Sequence, residues 1–416
     1  MRNDDSPIVA LDIGTTKIVV IVGNVQEGMI QITGVGEAPN SGLRRGTVVD
    51  IEDTVSSISS AIEDAQRSSG LEIRGCFAGI SGSQIISVDS KGVIAVSRAD
   101  GEIQEDDIGR AIESANSVAL PPNFEILHSI PKSFTVDGQN DIKDPTGLSG
   151  IRLEVLSHVI GASASSVKNL SKAIAQSGLE IEGIVFSPLA CAKAFLSRKQ
   201  KEIGVMLIDI GASNSSIAVY EENSLIHTKI IPIGANHITN DIAIGLKISI
   251  DSAEKLKITE VDADIEEVRE SEKIDLSKYE KGEKERPSRR YVCEIAQARL
   301  NELFSMIRAE LKLIERDEML PAGAIMVGGG AKTKGLQQFA KKSLGLPVQI
   351  GKPIFEVSGI VDKTDNPEYA TAVGLLLWGI DEVQSNVSNK TKANLDFKRV
   401  GGALDRIKEI FKNFIP

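Results

Sequence analysis

The chain has 416 residues, which is too long for one typical hydrophobic core, so two or more domains are expected. Its formal net charge of −11 argues against a nucleic-acid binder, whose surface would be basic. No apolar run reaches the ~20 residues that a membrane span requires, and we expect no secretion signal. Three distant cysteines without a C-x-x-C pair favour buried thiols in a reducing compartment.

The first predicted elements are a strand, a tight turn and a second strand. The β-branched residues over 18–22 favour a strand after the turn, which disfavours the phosphate loops that open a helix. Glycine and hydroxyl residues in such a turn can bring backbone N–H groups against a phosphate, and an aspartate at the strand end can hold a hydrated cation. The residues with this chemistry are Asp12, Gly14, Thr15, Thr16 and Lys17.

Mixed helices and strands are predicted between this hairpin and the middle of the chain. Apolar residues at helical spacing predict a helix over 51–69 that ends at Gly70. A strand over 76–80 then leads into an inserted module of the α+β class. The elements predicted within and after this module are strands over 85–97, 126–134, 150–160 and 179–186 and helices over 105–119, 167–175 and 188–198.

The strand–turn–strand pattern returns over 206–219. Its turn residues are Asp209, Gly211, Ala212, Ser213 and Asn214. Two such hairpins that face each other would clamp a nucleotide between two domains. A third feature is a strand over 325–327 that runs into a triple glycine, where a flat base or ribose could lie against the backbone. One glycine-rich turn is weak evidence, but three in this order are much stronger.

Apolar spacing and charge divide the rest of the chain. Helices are predicted over 238–246, 251–257, 292–314, 336–344 and 370–378. Between 259 and 290, 19 of 32 residues are charged, which predicts a solvated and mobile loop. From 384 to 396 the chain has almost no apolar residues, which predicts a flexible tether.

These three turns resemble the nucleotide motifs of the actin, Hsp70 and sugar-kinase ATPase superfamily. The resemblance implies an α/β fold of the actin-like class, with two duplicated halves around a nucleotide cleft, and it implies ATP and Mg²⁺ as cofactors. Asp12 and Asp209 would face the Mg²⁺ through water. The residues implied at the nucleotide are Asp12, Gly14, Thr15, Thr16, Lys17, Asp209, Gly211, Ala212, Ser213, Asn214, Gly234, Glu254, Lys257, Gly328, Gly329, Gly330 and Lys332.

Within this superfamily the chain resembles the FtsA family of bacterial cell-division proteins over nearly its whole length. The likeness is closest over 126–138 and 144–154, inside the inserted module. The resemblance implies subdomain 1A (1–81, 164–200 and 356–383), subdomain 1C (82–163), subdomain 2A (201–258 and 320–355), subdomain 2B (259–319), a flexible linker (384–400) and an amphipathic membrane-targeting helix (401–416).

Fast hydrolysis of the nucleotide is not expected. Hydrolases of the superfamily orient the attacking water with a Glu or Gln just before a Pro at a helix start, and Ser187 occupies that position before Pro188. A serine is too short and too weak a base for this role, so no catalytic residue is assigned. The second turn also lacks two glycines of the family pattern. We expect ATP binding with weak or no ATPase activity, in which the nucleotide closes the two halves for polymerisation.

The last sixteen residues predict an amphipathic helix on a tether. Seven basic and three acidic residues lie between 385 and 416, in a chain that is acidic overall. An anionic membrane surface attracts each basic residue by ~1 kcal/mol and receives an apolar helix face at the headgroup boundary. A helix that folds back on its own protein is the alternative. The apolar residues are Leu404, Ile407, Phe411, Phe414 and Ile415, and the basic ones are Arg406, Lys408 and Lys412.

The family resemblance implies a peripheral protein at the cytoplasmic face of the cell membrane, at the division site. Such a protein polymerises into filaments, tethers the tubulin-like protein FtsZ to the membrane and recruits later division proteins through subdomain 1C. The FtsZ C-terminal peptide would dock on subdomain 2B, and the candidate contacts are Arg289, Arg290 and Arg299.

Two other functions share the nucleotide motifs. The pilus-assembly protein PilM has a similar inserted module, but it is shorter and lacks the tethered terminal helix. A small-molecule kinase would need a catalytic carboxylate at a substrate cleft, and no residue of the chain is assigned to that role. The Hsp70 class is disfavoured because no substrate-binding β-domain follows the ATPase part.

Deletion of residues 401–416 is expected to abolish binding to anionic vesicles and to leave the fold intact, because the tail supplies the apolar and basic surface that meets the lipid. Co-sedimentation of the full-length and shortened chains with the same vesicles measures this. Equal sedimentation of the two chains would refute the assignment.

Overall fold

The computed structural model describes residues 7–26, 29–98, 100–117, 120–360 and 364–393. The strands are β1 (Ile8–Ile13), β2 (Lys17–Gln26), β3 (Met29–Pro39), β4 (Leu43–Arg44), β5 (Thr47–Val48), β6 (Gly75–Ile80), β7 (Ile85–Ala95), β8 (Phe124–Val136), β9 (Gln139–Ile142), β10 (Arg152–Ser163), β11 (Glu180–Phe186), β12 (Val205–Ile210), β13 (Ser215–Glu221), β14 (Ser224–Ile231), β15 (Ala324–Val327), β16 (Val348–Ile350) and β17 (Val357–Gly359). The helices are α1 (Ile51–Ser69), α2 (Glu105–Asn116), α3 (Ala164–Gln176), α4 (Ser187–Phe195), α5 (Arg198–Ile203), α6 (Ala235–Leu246), α7 (Ile250–Glu260), α8 (Arg289–Leu313), α9 (Leu336–Leu344) and α10 (Ala370–Ala393).

Two sheets of related topology form the body of the molecule. The first has the strand order β11-β6-β1-β2-β3-β17, and the second has the order β14-β13-β12-β15-β16. In each sheet one strand pairs antiparallel with the next strand in sequence and parallel with a later one: β1 with β2 and β6, and β12 with β13 and β15. The repeated arrangement confirms the predicted actin-like architecture of duplicated halves.

Each half has its own hydrophobic core. Five of the six residues of β1 and five of the six of β12 are buried, because helices cover the sheet faces and leave these strands little contact with water. In the first half α10 crosses α4 so closely that a Cβ on Gly374 would overlap the backbone of Ala190. Cys76, Cys191 and Cys293 are free and buried, as the sequence predicts.

Local signals place several helix ends correctly. The Asp50 carboxylate accepts a hydrogen bond from Asp53 N–H at 3.0 Å at the start of α1, and Gly70 ends the helix at φ 70°. Both ends agree with the predicted helix over 51–69, and α9 has the predicted bounds as well. The helix predicted over 188–198 is wrong at its end, because the backbone of Leu196 is extended and Ser197 caps a separate helix, α5.

The inserted module is an antiparallel sheet in the order β7-β10-β8-β9, with α2 packed against it. Its core is separate from those of the two halves and includes Ile103, Phe134 and Leu153. The module also contacts β14 of the second half, where the Ser87 hydroxyl donates to Thr228 C=O at 2.8 Å. The strand β9 was not predicted from the sequence.

The charged stretch over 259–290 is not the solvated loop that its composition predicts. The side chains of Val261, Val268, Ile274 and Leu276 are buried in it. Ion pairs and short 3₁₀ turns occupy the intervening positions, and Arg289 Nη1 lies 2.7 Å from Glu272 Oε2. The prediction is wrong because the average composition conceals the few apolar residues that are buried.

The prediction of a flexible linker over 384–400 is also wrong for its first residues. The helix α10 continues to Ala393, so residues 384–393 are helical rather than a flexible linker. Residues 394–400 and the amphipathic tail over 401–416 lie outside the described residues. Within the described ranges, none of the helices combines the length and the apolar character that a membrane crossing needs.

Candidate functional site

Two equivalent turns define the site. Gly14 N–H donates to Lys17 C=O at 3.0 Å, and Gly211 N–H donates to Asn214 C=O at 3.0 Å. A Cβ on Gly14 would lie 2.8 Å from the Lys17 carbonyl oxygen, and one on Gly211 would lie 2.9 Å from that of Asn214. Both turns therefore need glycine at the same position, for the same steric reason.

The two turns meet across the junction of the halves. Thr15 Oγ1 lies 2.5 Å from Ser213 Oγ, although the two residues are 198 positions apart. Strands rather than helices follow both glycines, since Lys17 begins β2 and Ser215 begins β13. The predicted pair of facing strand–turn–strand elements is confirmed.

Neighbouring segments hold each turn in place. Asn40 binds the first turn twice: its Nδ2 donates to Gly14 C=O at 2.7 Å and its N–H donates to Thr16 C=O at 2.9 Å. Sequence reasoning missed this residue, because the run Pro39-Asn40-Ser41-Gly42 has only the composition of an ordinary turn.

The second turn is held by the first residues of α6. Ala235 N–H donates to Gly211 C=O at 2.9 Å, and Asn236 N–H donates to Ala212 C=O at 2.8 Å. A Cβ on Gly234 would lie 2.6 Å from both of these carbonyl oxygens. Gly234 is therefore required for the approach of α6 to the second turn.

Two carboxylates lie at the floor of the cleft. Burial, reinforced by the charge of Asp209, raises the pKa of Asp12 to about 7, although Lys17 opposes this shift. Burial raises the pKa of Asp209 to about 6. Negative charge that is crowded and desolvated in this way would be relieved by a hard cation. Since Mg²⁺ is commonly held by one or two carboxylates together with phosphate oxygens and water, this donor set fits it.

The triple glycine packs against Asp209. Gly328 has φ 86°, and a Cβ on it would overlap Asp209 Oδ1; one on Gly330 would overlap the Ile210 side chain. Gly329 is exposed, and a Cβ on it would meet nothing within 4 Å. The three glycines thus have different roles, and only Gly329 leaves backbone open to a ligand.

A polar group from α6 and α7 borders the same region. Lys257 Nζ donates to Glu254 Oε2 at 2.7 Å and to Thr239 Oγ1 at 2.9 Å, and it lies 3.4 Å from Ala235 C=O. This places Glu254 and Lys257 beside the start of α6, next to the second turn. Sequence reasoning missed Thr239.

Two cavities lie near the segment that follows the triple glycine, and Thr333 lines both of them. One is a narrow space of about 10 Å³ that is also lined by Gly234, Gly330 and Arg299. The other is an open cleft of about 720 Å³ against Lys332.

Lys17 and Lys332 meet at one carboxylate. Lys17 Nζ lies 3.5 Å from Glu368 Oε2 and 3.5 Å from Glu37 Oε2, and it stands 4.2 Å above the Tyr369 ring. Lys332 Nζ lies 3.4 Å from Glu368 Oε1. No sequence motif drew attention to Glu37, Glu368 or Tyr369.

The helix α4 begins beside the floor of the cleft. Ser187, its first residue, is 4% exposed and packs against Gly79. One turn further along, burial and the charges of Asp209 and Asp12 raise the pKa of the Cys191 thiol. A buried serine with this short reach has little room to orient an attacking water.

The three arginines assigned to a partner have different surroundings. Arg289 pairs with Glu272, and Arg299 makes a two-pronged contact with Asp241 at 2.8 and 2.9 Å while it lines the narrow cavity. Arg290 pairs more loosely with Glu294, at 3.4 Å, and its side chain is the most exposed of the three. Their role toward a partner stays a prediction.

Duplicated sheets, with facing turns that each carry an aspartate and a glycine, define a protein of the actin-like ATPase fold. The chain belongs to the FtsA family of cell-division proteins. The family model for the cell division protein FtsA matches residues 206–374, and the model for the SHS2 domain inserted in FtsA matches residues 82–161.

Curated relatives support this membership over most of the chain. The cell division protein FtsA of Pseudomonas aeruginosa is 36% identical over 382 residues, which cover 92% of this chain and 91% of the relative. That of Neisseria meningitidis is 34% identical over 416 residues and covers 99% of this chain and 100% of the relative. That of Bacillus subtilis is 36% identical, with coverage of 90% and 83%.

Solved structures share the fold at much lower identity. The PilM-PilN type IV pilus biogenesis complex superposes with a TM-score of 0.66 at 17% identity and covers 90% of this chain and 98% of that chain. MreB5 of Spiroplasma citri bound to ADP gives a TM-score of 0.56 at 11% identity, with coverage of 93% and 100%. At these identities the likeness concerns the fold alone.

The adjacent glycines Gly328 and Gly329 provide a matched test of the site. Gly328→Ala should lower the free energy of unfolding by about 2 kcal/mol or more, because it combines a positive φ with overlap on Asp209. Gly329→Ala should change it by about 0.5 kcal/mol or less, since the added methyl meets open space. Denaturant unfolding of both variants measures the difference, and equal losses would contradict the geometry.

Proposed function

We propose that this actin-like member of the FtsA family binds ATP with Mg²⁺ in the cleft between its halves. We further propose that the bound chain polymerises and tethers FtsZ to the cytoplasmic face of the cell membrane at the division site. The observation that carries the nucleotide part is the 2.5 Å contact between Thr15 and Ser213. It puts two equivalent phosphate-type turns within reach of one ligand, above a pair of carboxylates.

The nucleotide would lie with its phosphates against both turns. The backbone N–H groups and hydroxyls of Thr15, Thr16 and Ser213 would donate to phosphate oxygens, as would the side chains of Lys17 and Asn214. Mg²⁺, held by Asp12 and Asp209 through water, would offset the charge of the phosphates. The nucleoside would lie against Gly329, with Glu254 and Lys257 at its edges, and Lys332 would lie on the phosphate side with Lys17.

Hydrolysis would be slow in this site. The position from which related hydrolases orient water is occupied by Ser187, which is buried against Gly79. The second turn has Ala212 and Ser213 where the family pattern has glycines, so close approach of its backbone to phosphate is reduced. The proposed use of ATP is therefore to close the halves, with little turnover.

Equilibrium binding of ATP, with and without Mg²⁺, tests the nucleotide part of the proposal. Asp12→Asn should weaken Mg-ATP binding about tenfold and reduce the stimulation by Mg²⁺, because one of the two charges that face the cation is lost. Asp64→Asn is the matched control, since Asp64 pairs with Arg67 on an exposed face of α1.

The same samples report on hydrolysis through phosphate release. Failure of the unaltered chain to bind Mg-ATP would overturn the proposed site. Rapid phosphate release without lipid, at the rate of an ordinary ATPase, would overturn only the expectation of slow turnover.

A partly apolar surface at the junction of α6, α7 and α8 supports docking of the FtsZ tail. Ile244 and Ile250 expose 76% and 61% of their surface, and Tyr291 exposes 47%. Gly245 lies against Ile295 and faces the Tyr291 hydroxyl, so the end of α6 and the start of α8 are adjacent. Arg290 directly precedes Tyr291 in α8 and offers a positive charge to an acidic peptide.

Membrane attachment rests on the tail over 401–416, whose composition carries the proposal. The helix α10 leads out of the first half toward this segment. Subdomain 1C, with its own sheet and core, is the proposed surface for other division proteins. The subdomain boundaries over 1–383 stay as predicted from the resemblance.

Reversal of the Arg290 charge should weaken binding of an FtsZ C-terminal peptide about fivefold or more, because an acidic ligand would lose one favourable charge and meet a repulsive one. ATP affinity should be unchanged. The measurement is fluorescence anisotropy of a labelled peptide with Arg290→Glu. The control is Arg67→Glu, at an exposed position on α1 in the first half. Equal peptide affinity in the two variants would contradict docking at this surface.

A further inference from the structure

One carboxylate joins the two halves at the mouth of the cleft. Glu368 lies 3.5 Å from Lys17 Nζ, on the first half, and 3.4 Å from Lys332 Nζ, on the second. We call this set, Lys17, Glu368 and Lys332, the cross-cleft bridge. Both lysines are among the residues assigned to the nucleotide. In this structure, however, the anion that they share is a side chain of the protein itself.

Glu368 is presented by a segment that is itself fixed. The residue lies in a 3₁₀ turn, Pro367–Tyr369, that Asn366 caps by accepting from Glu368 N–H at 3.3 Å. Asn366 Nδ2 also donates to Glu368 Oε1 at 3.0 Å. On the other side Gly328 N–H donates to Pro367 C=O at 2.8 Å, directly behind Asp209. The carboxylate is therefore held at the cleft rather than extended from a mobile loop.

The first-half lysine is positioned by two further groups. Its ammonium stands over the Tyr369 ring at 4.2 Å, and the Tyr369 hydroxyl donates to Glu37 Oε1 at 2.5 Å. Glu37 Oε2 lies 3.5 Å from Lys17 Nζ. When Glu368 is neutralised, Lys17 therefore stays over the Tyr369 ring and keeps Glu37 as a carboxylate partner. Loss of the Glu368 charge would change the electrostatics of the site more than its geometry.

We propose that Glu368 is an internal competitor of the nucleotide phosphates. It bridges the halves in this structure, and a bound triphosphate replaces it as the anion that Lys17 and Lys332 share. This inference rests on the proposed nucleotide site and adds its regulation. Glu368 adds negative charge beside a polyanion, which lowers affinity for phosphate-bearing ligands in particular. The bridge is partly exposed, with 24% of the Glu368 side chain accessible, so its contribution to folding stability is small.

The variant Glu368→Gln separates charge from shape, because an amide oxygen can still accept from Asn366. We expect Mg-ATP to bind about fivefold or more tighter to this variant, through loss of the competing anion. Adenosine, which has no phosphate, should bind with its affinity changed by about twofold at most. The gain for ATP should shrink as the salt concentration rises, since ions screen the repulsion.

The control is Glu113→Gln, which makes the same change of net charge at an exposed position on α2. Thermal unfolding of both variants, compared with the unaltered chain, checks that each is folded. Unchanged or weaker ATP binding by Glu368→Gln would overturn the inference, and so would an equal gain for adenosine. If the unaltered chain does not bind Mg-ATP, the proposed nucleotide site fails and this inference fails with it.

Discussion

The contact between the tips of two equivalent turns governs the organisation of this molecule. Thr15 and Ser213 touch through their hydroxyls, and each lies on a turn closed by a glycine N–H bond to the carbonyl three residues later. Because both turns rise from central strands of their sheets, their separation is set by the packing of the halves rather than by the turns themselves. A change in the angle between the halves would therefore act directly on this contact.

Charge is arranged in two layers around that contact. At the floor, Asp12 and Asp209 are desolvated and repel each other, and both have raised pKa values. At the mouth, Lys17 and Lys332 share the Glu368 carboxylate. A nucleotide with its metal ion has the complementary distribution, with a cation for the floor and phosphates for the lysines.

The inserted module contacts both halves and is therefore sensitive to their relative position. Toward the second half, His158 Nε2 lies 2.9 Å from Thr228 Oγ1, and Lys132 Nζ donates to Ile226 C=O at 3.0 Å. Toward the first half, Phe186 N–H donates to His128 Nε2 at 3.0 Å, just before the start of α4. Burial lowers the pKa of His128 to about 4, so near neutral pH its ring is uncharged and can accept this bond.

Features that depend on neighbouring residues were predictable from the sequence. The ends of α1, the bounds of α9, both hairpins and the triple glycine follow from periodicity, caps and turn chemistry within short windows. Prediction failed over 259–290, where charged residues dominate the average but five apolar side chains are buried. It failed again at 384–393, where a polar sequence continues a helix that begins in the core.

The sequence by itself determined the local devices: two aspartate–glycine turns between strands, a glycine-rich third turn and a charged segment before a long helix. Only the tertiary structure decided how they combine, since Thr15 and Ser213 are 198 residues apart, and Glu368 likewise meets Lys17 from a remote part of the chain. The reason is physical. Local pattern controls backbone conformation and the face that a residue occupies, whereas contacts across the cleft follow from how two separately folded cores pack together.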